Sequence, residues 1–123
     1  MPDRHRQRPK TRTTSARGAL WTAAQGELDF AECPNVLPLP DDRIVLLLSP
    51  FRAVEWRLGG FDGARLEVEC QGLLDRHDAF YATNTLEDGE GRTVVLGWIR
   101  GFPAGRGWNG CLSFPRLLDV AGD

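Results

Sequence analysis

Phe80-Tyr81-Ala82-Thr83-Asn84-Thr85-Leu86 leads into Glu87-Asp88-Gly89-Glu90-Gly91 and then Thr93-Val94-Val95-Leu96-Gly97-Trp98-Ile99. Two runs rich in β-branched and aromatic residues, joined by a polar loop with two glycines, read as strand, turn and strand. The same grammar extends in both directions. Ile44 to Leu48 is a short apolar run bounded by Pro40-Asp41-Asp42 and Pro50, which predicts a buried strand. Val54 to Phe61 alternates loosely and ends at Asp62-Gly63, a hairpin turn signal. Arg65 to Cys70 alternates Leu66, Val68 and Cys70 with Arg65, Glu67 and Glu69, the pattern of a half-buried strand. Val36 to Leu39 reads as a short apolar strand, and Cys111 to Val120 as a last strand broken or bulged at Pro115. The only helical candidate is Ala19 to Gln25. The fold class is therefore all-β. The strands fall into two groups, 35–70 and 79–120, each of the roughly 40–50 residues of a four-stranded antiparallel propeller blade.

A chain of 123 residues implies one domain. No run approaches the roughly 18 apolar residues of a membrane span, so no membrane partner is expected. The net charge of −2 conceals an asymmetry. Arg4, Arg6, Arg8, Lys10, Arg12 and Arg17 face Asp3 alone in the first twenty residues, and the remainder is acidic. Such an arm suits a nucleic-acid tail, a transit peptide or a disordered leader. It lacks aromatic interleaving and the apolar segment of a secretory signal, so residues 1–26 are read as a disordered basic leader with no nucleic-acid partner. Cys33, Cys70 and Cys111 are an odd number, widely spaced, with no C-x-x-C pair. Neither a zinc site nor a disulfide framework follows. Free thiols fit a reducing, cytoplasmic compartment. His5 and His77 are too few and too distant for a metal cluster, and no cofactor is expected.

Gly105-Arg106-Gly107-Trp108-Asn109-Gly110 matches the G-x-G-x-x-G fingerprint. That fingerprint needs a helix directly after it to receive a pyrophosphate, and Cys111-Leu112-Ser113-Phe114-Pro115 is strand-like, so the match is chance. Glu32 lies between Phe30-Ala31 and Cys33-Pro34. Desolvation of a carboxyl at the start of a strand favours its protonated form, which suits a general acid; an exposed loop glutamate explains the same residues. Trp56, Trp98, Trp108 and Phe80-Tyr81 occur among acidic residues, a mixture suited to sugar binding or to ordinary packing. His77-Asp78 is read as a solvated turn rather than a catalytic pair.

Taken in order, these segments resemble glycoside hydrolase family 32. Glu32-Cys33-Pro34-Asn35 followed by Leu46-Leu47-Leu48-Ser49-Pro50 is similar to the family's E-C-P-[DN] and L-L-x-S-P stretch. Leu58-Gly59-Gly60-Phe61-Asp62-Gly63 resembles its G-x-F-D-G hairpin, and Phe80-Tyr81-Ala82-Thr83-Asn84-Thr85 its F-Y-A-x-x-T strand. Gly91-Arg92 with Gly97-Trp98, and Gly107-Trp108-Asn109-Gly110 with Leu112-Ser113-Phe114-Pro115-Arg116, resemble the motifs that follow. The resemblance covers residues 27–120, with 121–123 left as a tail.

The resemblance implies about two blades of a five-bladed β-propeller. It implies hydrolysis of β-fructosides such as sucrose or fructans, with retention, by a pair of carboxylates. It places the acid/base on Glu32, gives Tyr81 a supporting role beside it, and makes Trp108 and Cys33 candidates for the pocket and its surroundings. The family nucleophile, an aspartate in W-[MI]-N-D-P-N-G, and the second aspartate, in R-D-P, have no counterpart in this sequence. The expectation is a truncated piece, inactive alone, that self-associates or depends on a partner carrying the missing blades. A non-catalytic carbohydrate-binding or interaction module built on the same fold is the alternative.

Overall fold

The structure is a computed structural model and describes residues 18–120; residues 1–17 of the leader read as disordered, and the tail at 121–123, lie outside the described residues. Eight strands form in chain order: β1 (Glu32–Pro38), β2 (Arg43–Ser49), β3 (Glu55–Phe61), β4 (Leu66–Leu73), β5 (Phe80–Glu87), β6 (Thr93–Ile99), β7 (Cys111–Leu112) and β8 (Arg116–Leu117). They make two antiparallel sheets of four strands. The first is a meander, β1-β2-β3-β4. In the second, β6 pairs on one side with β5 and on the other with both β7 and β8.

β2 is apolar on both faces because both are covered. Ile44, Leu46 and Leu48 pack with Leu66 beneath Leu20, Trp21 and Leu28. Val45 and Leu47 face the other way, joining Val54, Leu58, Phe80, Tyr81 and Val95 in the core between the sheets. Leu20 and Trp21 belong to the stretch read as a leader, and the Leu66 N–H donates to the Leu20 carbonyl at 2.9 Å. No helix forms over Ala19 to Gln25. Left-handed glycines, Gly18 and Gly26, flank it, and the Leu20 carbonyl is spent on β4.

The predicted alternation of β4 holds at Leu66 but not beyond it. Leu58 pairs with Cys70 and Gly59 with Val68, leaving Glu69 as an extra residue. Such a bulge puts Val68 and Cys70 on opposite faces of an edge strand, and both are exposed. Pro115 splits the last strand as expected. Ser113 bridges the break: its N–H donates to the Gly97 carbonyl at 2.8 Å, and its hydroxyl accepts the Gly97 N–H at 3.0 Å.

Candidate active site

β1 begins at Glu32, four residues before the apolar run that marks it in the sequence. Glu32 pairs with Ser49, and the next regular pair is Asn35 with Leu47. The register slips between them because Cys33 takes a left-handed backbone, φ 47°. The second sheet repeats the device. Tyr81 pairs with Trp98, the next regular pair is Asn84 with Leu96, and Ala82 has φ 48°. A bulge bends its strand and re-aims the neighbouring side chains. Here the bulges follow Glu32 on β1 and Tyr81 on β5, and they bring the two side chains together.

The Tyr81 hydroxyl lies 3.1 Å from Glu32 Oε2. It also lies 2.8 Å from the Ser49 carbonyl oxygen, and it accepts the Phe51 N–H at 3.0 Å. A phenol has one proton, so it donates to the carbonyl or to the carboxylate, not fully to both. Tyr81 is 3% exposed, whereas Glu32 is half-buried. Burial raises the Tyr81 ionisation above its ordinary value; the Phe51 N–H opposes this, the Glu32 carboxylate adds to it, and the Arg100 cation opposes it. The Arg100 guanidinium carbon sits 3.8 Å from the centre of the Tyr81 ring, and the Phe51 ring lies nearly parallel to it at 6.1 Å. Phe30 meets Phe51 at 4.7 Å, giving the site an exposed aromatic rim.

Cys33 is an exposed free thiol that contributes its backbone to the bulge. Trp108 stands on the loop before β7, 47% exposed, with its ring against Phe102 at 4.8 Å and Arg106 at 5.9 Å. Of the other rings considered, Phe80 is core, Trp56 packs against the core, and Trp98 is exposed with its indole N–H donating to the Asn109 carbonyl. Asp62 is engaged by the Ala64 and Arg65 N–H groups, which hold its carboxyl below the usual range. His77 and Asp78 are exposed turn residues, and His77 Nδ1 accepts the Ala79 N–H. Among the described residues no group of His, Cys, Asp and Glu is placed to hold a metal. An apolar cleft of about 370 Å³, lined by Val45, Leu47, Trp56, Leu58 and Leu118 among others, does not include Glu32 or Tyr81. Ser49, Phe51 and Arg100 were not singled out from sequence. Ser49 stands within the L-L-x-S-P motif and Phe51 directly follows it, which is the signal that could have found them.

Two packed four-stranded antiparallel sheets are the architecture of adjacent propeller blades. The sequence profile of the glycosyl hydrolases family 32 N-terminal domain matches residues 11–123, and the chain belongs to that family. It is 32% identical over 88 residues to a sucrose-6-phosphate hydrolase of Klebsiella pneumoniae, covering 60% of this chain and 18% of that protein. It is 29% identical over 113 residues to a sucrose-6-phosphate hydrolase of Bacillus subtilis (strain 168), covering 74% of this chain and 23% of that protein. A solved glycoside hydrolase family 32 structure from Bifidobacterium adolescentis is similar to it at 29% identity and a TM-score of 0.62, over 74% of this chain and 17% of that one. The chain thus spans about a fifth of the length of these relatives.

Proposed function

We propose that Glu32 is the general acid/base of a retaining β-fructosidase site, with Tyr81 as its hydrogen-bond partner. As an acid, Glu32 protonates the glycosidic oxygen while the bond to the anomeric carbon breaks; as a base, it takes a proton from the incoming water. The observation that supports this most is the set of partners around the Tyr81 hydroxyl. When Glu32 carries its proton, it donates to Tyr81, and Tyr81 donates to the Ser49 carbonyl. When Glu32 is ionised, the Tyr81 proton turns toward it. Both protonation states required by the two steps are thereby accommodated, with the Phe51 N–H anchoring the phenol oxygen throughout.

The substrate class is a β-fructoside such as sucrose or a fructan. The names of the two curated relatives favour a sucrose phosphate among these. A retaining mechanism also needs a nucleophile about 5–5.5 Å from the acid/base, on the other side of the bond. No motif of this sequence matches the family's nucleophile, so the chain alone is proposed not to turn over sugar. The decisive experiment grafts residues 27–120 into the Bacillus relative in place of its matching segment. Glu32→Gln in that chimera should lower kcat/KM for sucrose by roughly two to four orders of magnitude, and lower kcat/KM for a p-nitrophenyl fructoside, whose leaving group needs no proton, far less, because kcat/KM reports only the step in which the leaving group departs. Equal losses of kcat/KM on both substrates, or none, would remove the acid/base assignment.

A further inference from the structure

A bulge frees backbone groups from the ladder, and those groups need other partners. Asn35 supplies them for both bulges at once. Its Nδ2 donates to the Cys33 carbonyl at 2.9 Å, inside the bulge that follows Glu32. It also donates to the Thr83 carbonyl at 2.8 Å, inside the bulge that follows Tyr81, with a longer contact of 3.3 Å to Thr83 Oγ1. Its Oδ1 accepts the Thr85 hydroxyl at 3.2 Å, which fixes which end of the carboxamide faces the carbonyls. The two –NH₂ protons therefore each meet a bulge carbonyl, one in each sheet.

Asn84 occupies the same place in β5 that Asn35 holds in β1, and it does nothing comparable. It is exposed, and its Oδ1 accepts the N–H of the next residue, Thr85. Bridging is thus a property of Asn35 and not of bulges as such. We infer that Asn35 is a positioning residue whose carboxamide joins the Glu32 bulge to the Tyr81 bulge and so sets the separation of the carboxyl and the phenol. This rests on the acid/base reading of Glu32 for its functional meaning. The contacts that carry it are independent of that reading.

The test uses the whole chain with ¹³C at Glu32 Cδ and Tyr81 Cζ, followed by NMR as pH is varied. In the unmodified protein the Tyr81 resonance should move in step with Glu32, because the oxygens are in contact. In Asn35→Ala, Glu32 should still titrate and the backbone signals of β2 and β3 should persist, while the Tyr81 step is lost. A merely structural asparagine would lower the melting temperature and leave that step intact, and this result overturns the proposal, as does a missing step in the unmodified protein. Should Asn35→Ala fail to fold, the unmodified chain decides: the Asn35 carboxamide protons should exchange with solvent roughly a hundredfold more slowly than those of Asn84. Equal exchange overturns the proposal. Failure of the acid/base reading looks different, since the chimera would then survive Glu32→Gln while the Tyr81 response here remained.

Discussion

Cys33 and Ala82 are counterparts: each is a non-glycine residue in the left-handed region, at φ 47° and 48°, directly after a residue of the site. The first sheet spends this strain to aim Glu32, the second to aim Tyr81. Left-handed backbone costs an L-residue about 1–2 kcal/mol, and most for a β-branched side chain. Ala82→Val should therefore destabilise the chain by about 2 kcal/mol, whereas Ala82→Gly should be close to neutral, the relief of strain being offset by unfolded-state entropy. Urea unfolding of the two variants checks this, and equal midpoints would contradict it.

Gly97 sits on β6 against Phe80 of β5. A Cβ built there would collide with the Phe80 ring, which is itself 2% exposed and cannot swing away. Gly97→Ala should cost about 1–3 kcal/mol by overpacking. Adding Phe80→Leu to it should recover part of the loss, as a double-mutant cycle in denaturant would report.

The raised ionisation of Tyr81 has a definite sign in stability. The folded state favours the neutral phenol, so the associated stability is fully present below the ordinary tyrosine value of about 10 and is lost as pH climbs through the folded one. Tyr81→Phe should remove that alkaline loss, flattening the stability curve on the high-pH side. Melting curves collected across the alkaline range measure it, and an unchanged slope would contradict the assignment.

Arg57 is 1% exposed beneath Trp21, and its Nη2 meets Glu27 Oε1 at 2.8 Å and Glu55 Oε2 at 3.1 Å. The hydrogen bond from Arg57 is the main cause holding the Glu27 carboxyl below its ordinary 4.5, with the Ala24 N–H assisting. Stability from this pair is present above 4.5 and disappears as pH falls through the depressed folded value. Glu27→Gln should lower the melting temperature at neutral pH and show a shallower acid loss than the unmodified chain. Parallel acid limbs would show that the pair contributes nothing.

Along the last edge, Leu112, Phe114 and Leu117 are exposed, Phe114 to 89%. An apolar, split edge strand invites pairing with other chains. Sedimentation should show concentration-dependent association that Phe114→Asp weakens, and a monomer at all concentrations would contradict it.

The strands were legible in the sequence wherever burial imposed alternation or a continuous apolar run, as at β2, β5 and β6. The motifs carried Glu32 and Tyr81 as a pair. Two kinds of feature were not legible. Glu32 was read at the start of a strand, but the bulge that follows it was hidden, because a left-handed backbone at Cys33 leaves no mark in the letters Glu32-Cys33-Pro34. The exposure of Val68 and Cys70 was hidden by an extra residue in the register, which reverses faces without changing the letters. Arg57 looks like a surface charge on a loosely alternating strand, and only Trp21 and Glu27, some thirty residues earlier, make it a buried one. Asn35 was visible as a motif letter, but its partners Thr83 and Thr85 lie on another sheet.

Tyr81 is the sole tyrosine of the chain, against four tryptophans and six phenylalanines. Phenolate formation gives an absorbance change that the other rings do not share. An ordinary alkaline spectrophotometric titration therefore watches one side chain, placed between Glu32, Ser49 and Phe51, with no label and no assignment. The protein carries its own chromophore at the point where the two sheets meet, so any sugar, variant or partner chain that disturbs that junction can be followed by ultraviolet absorbance.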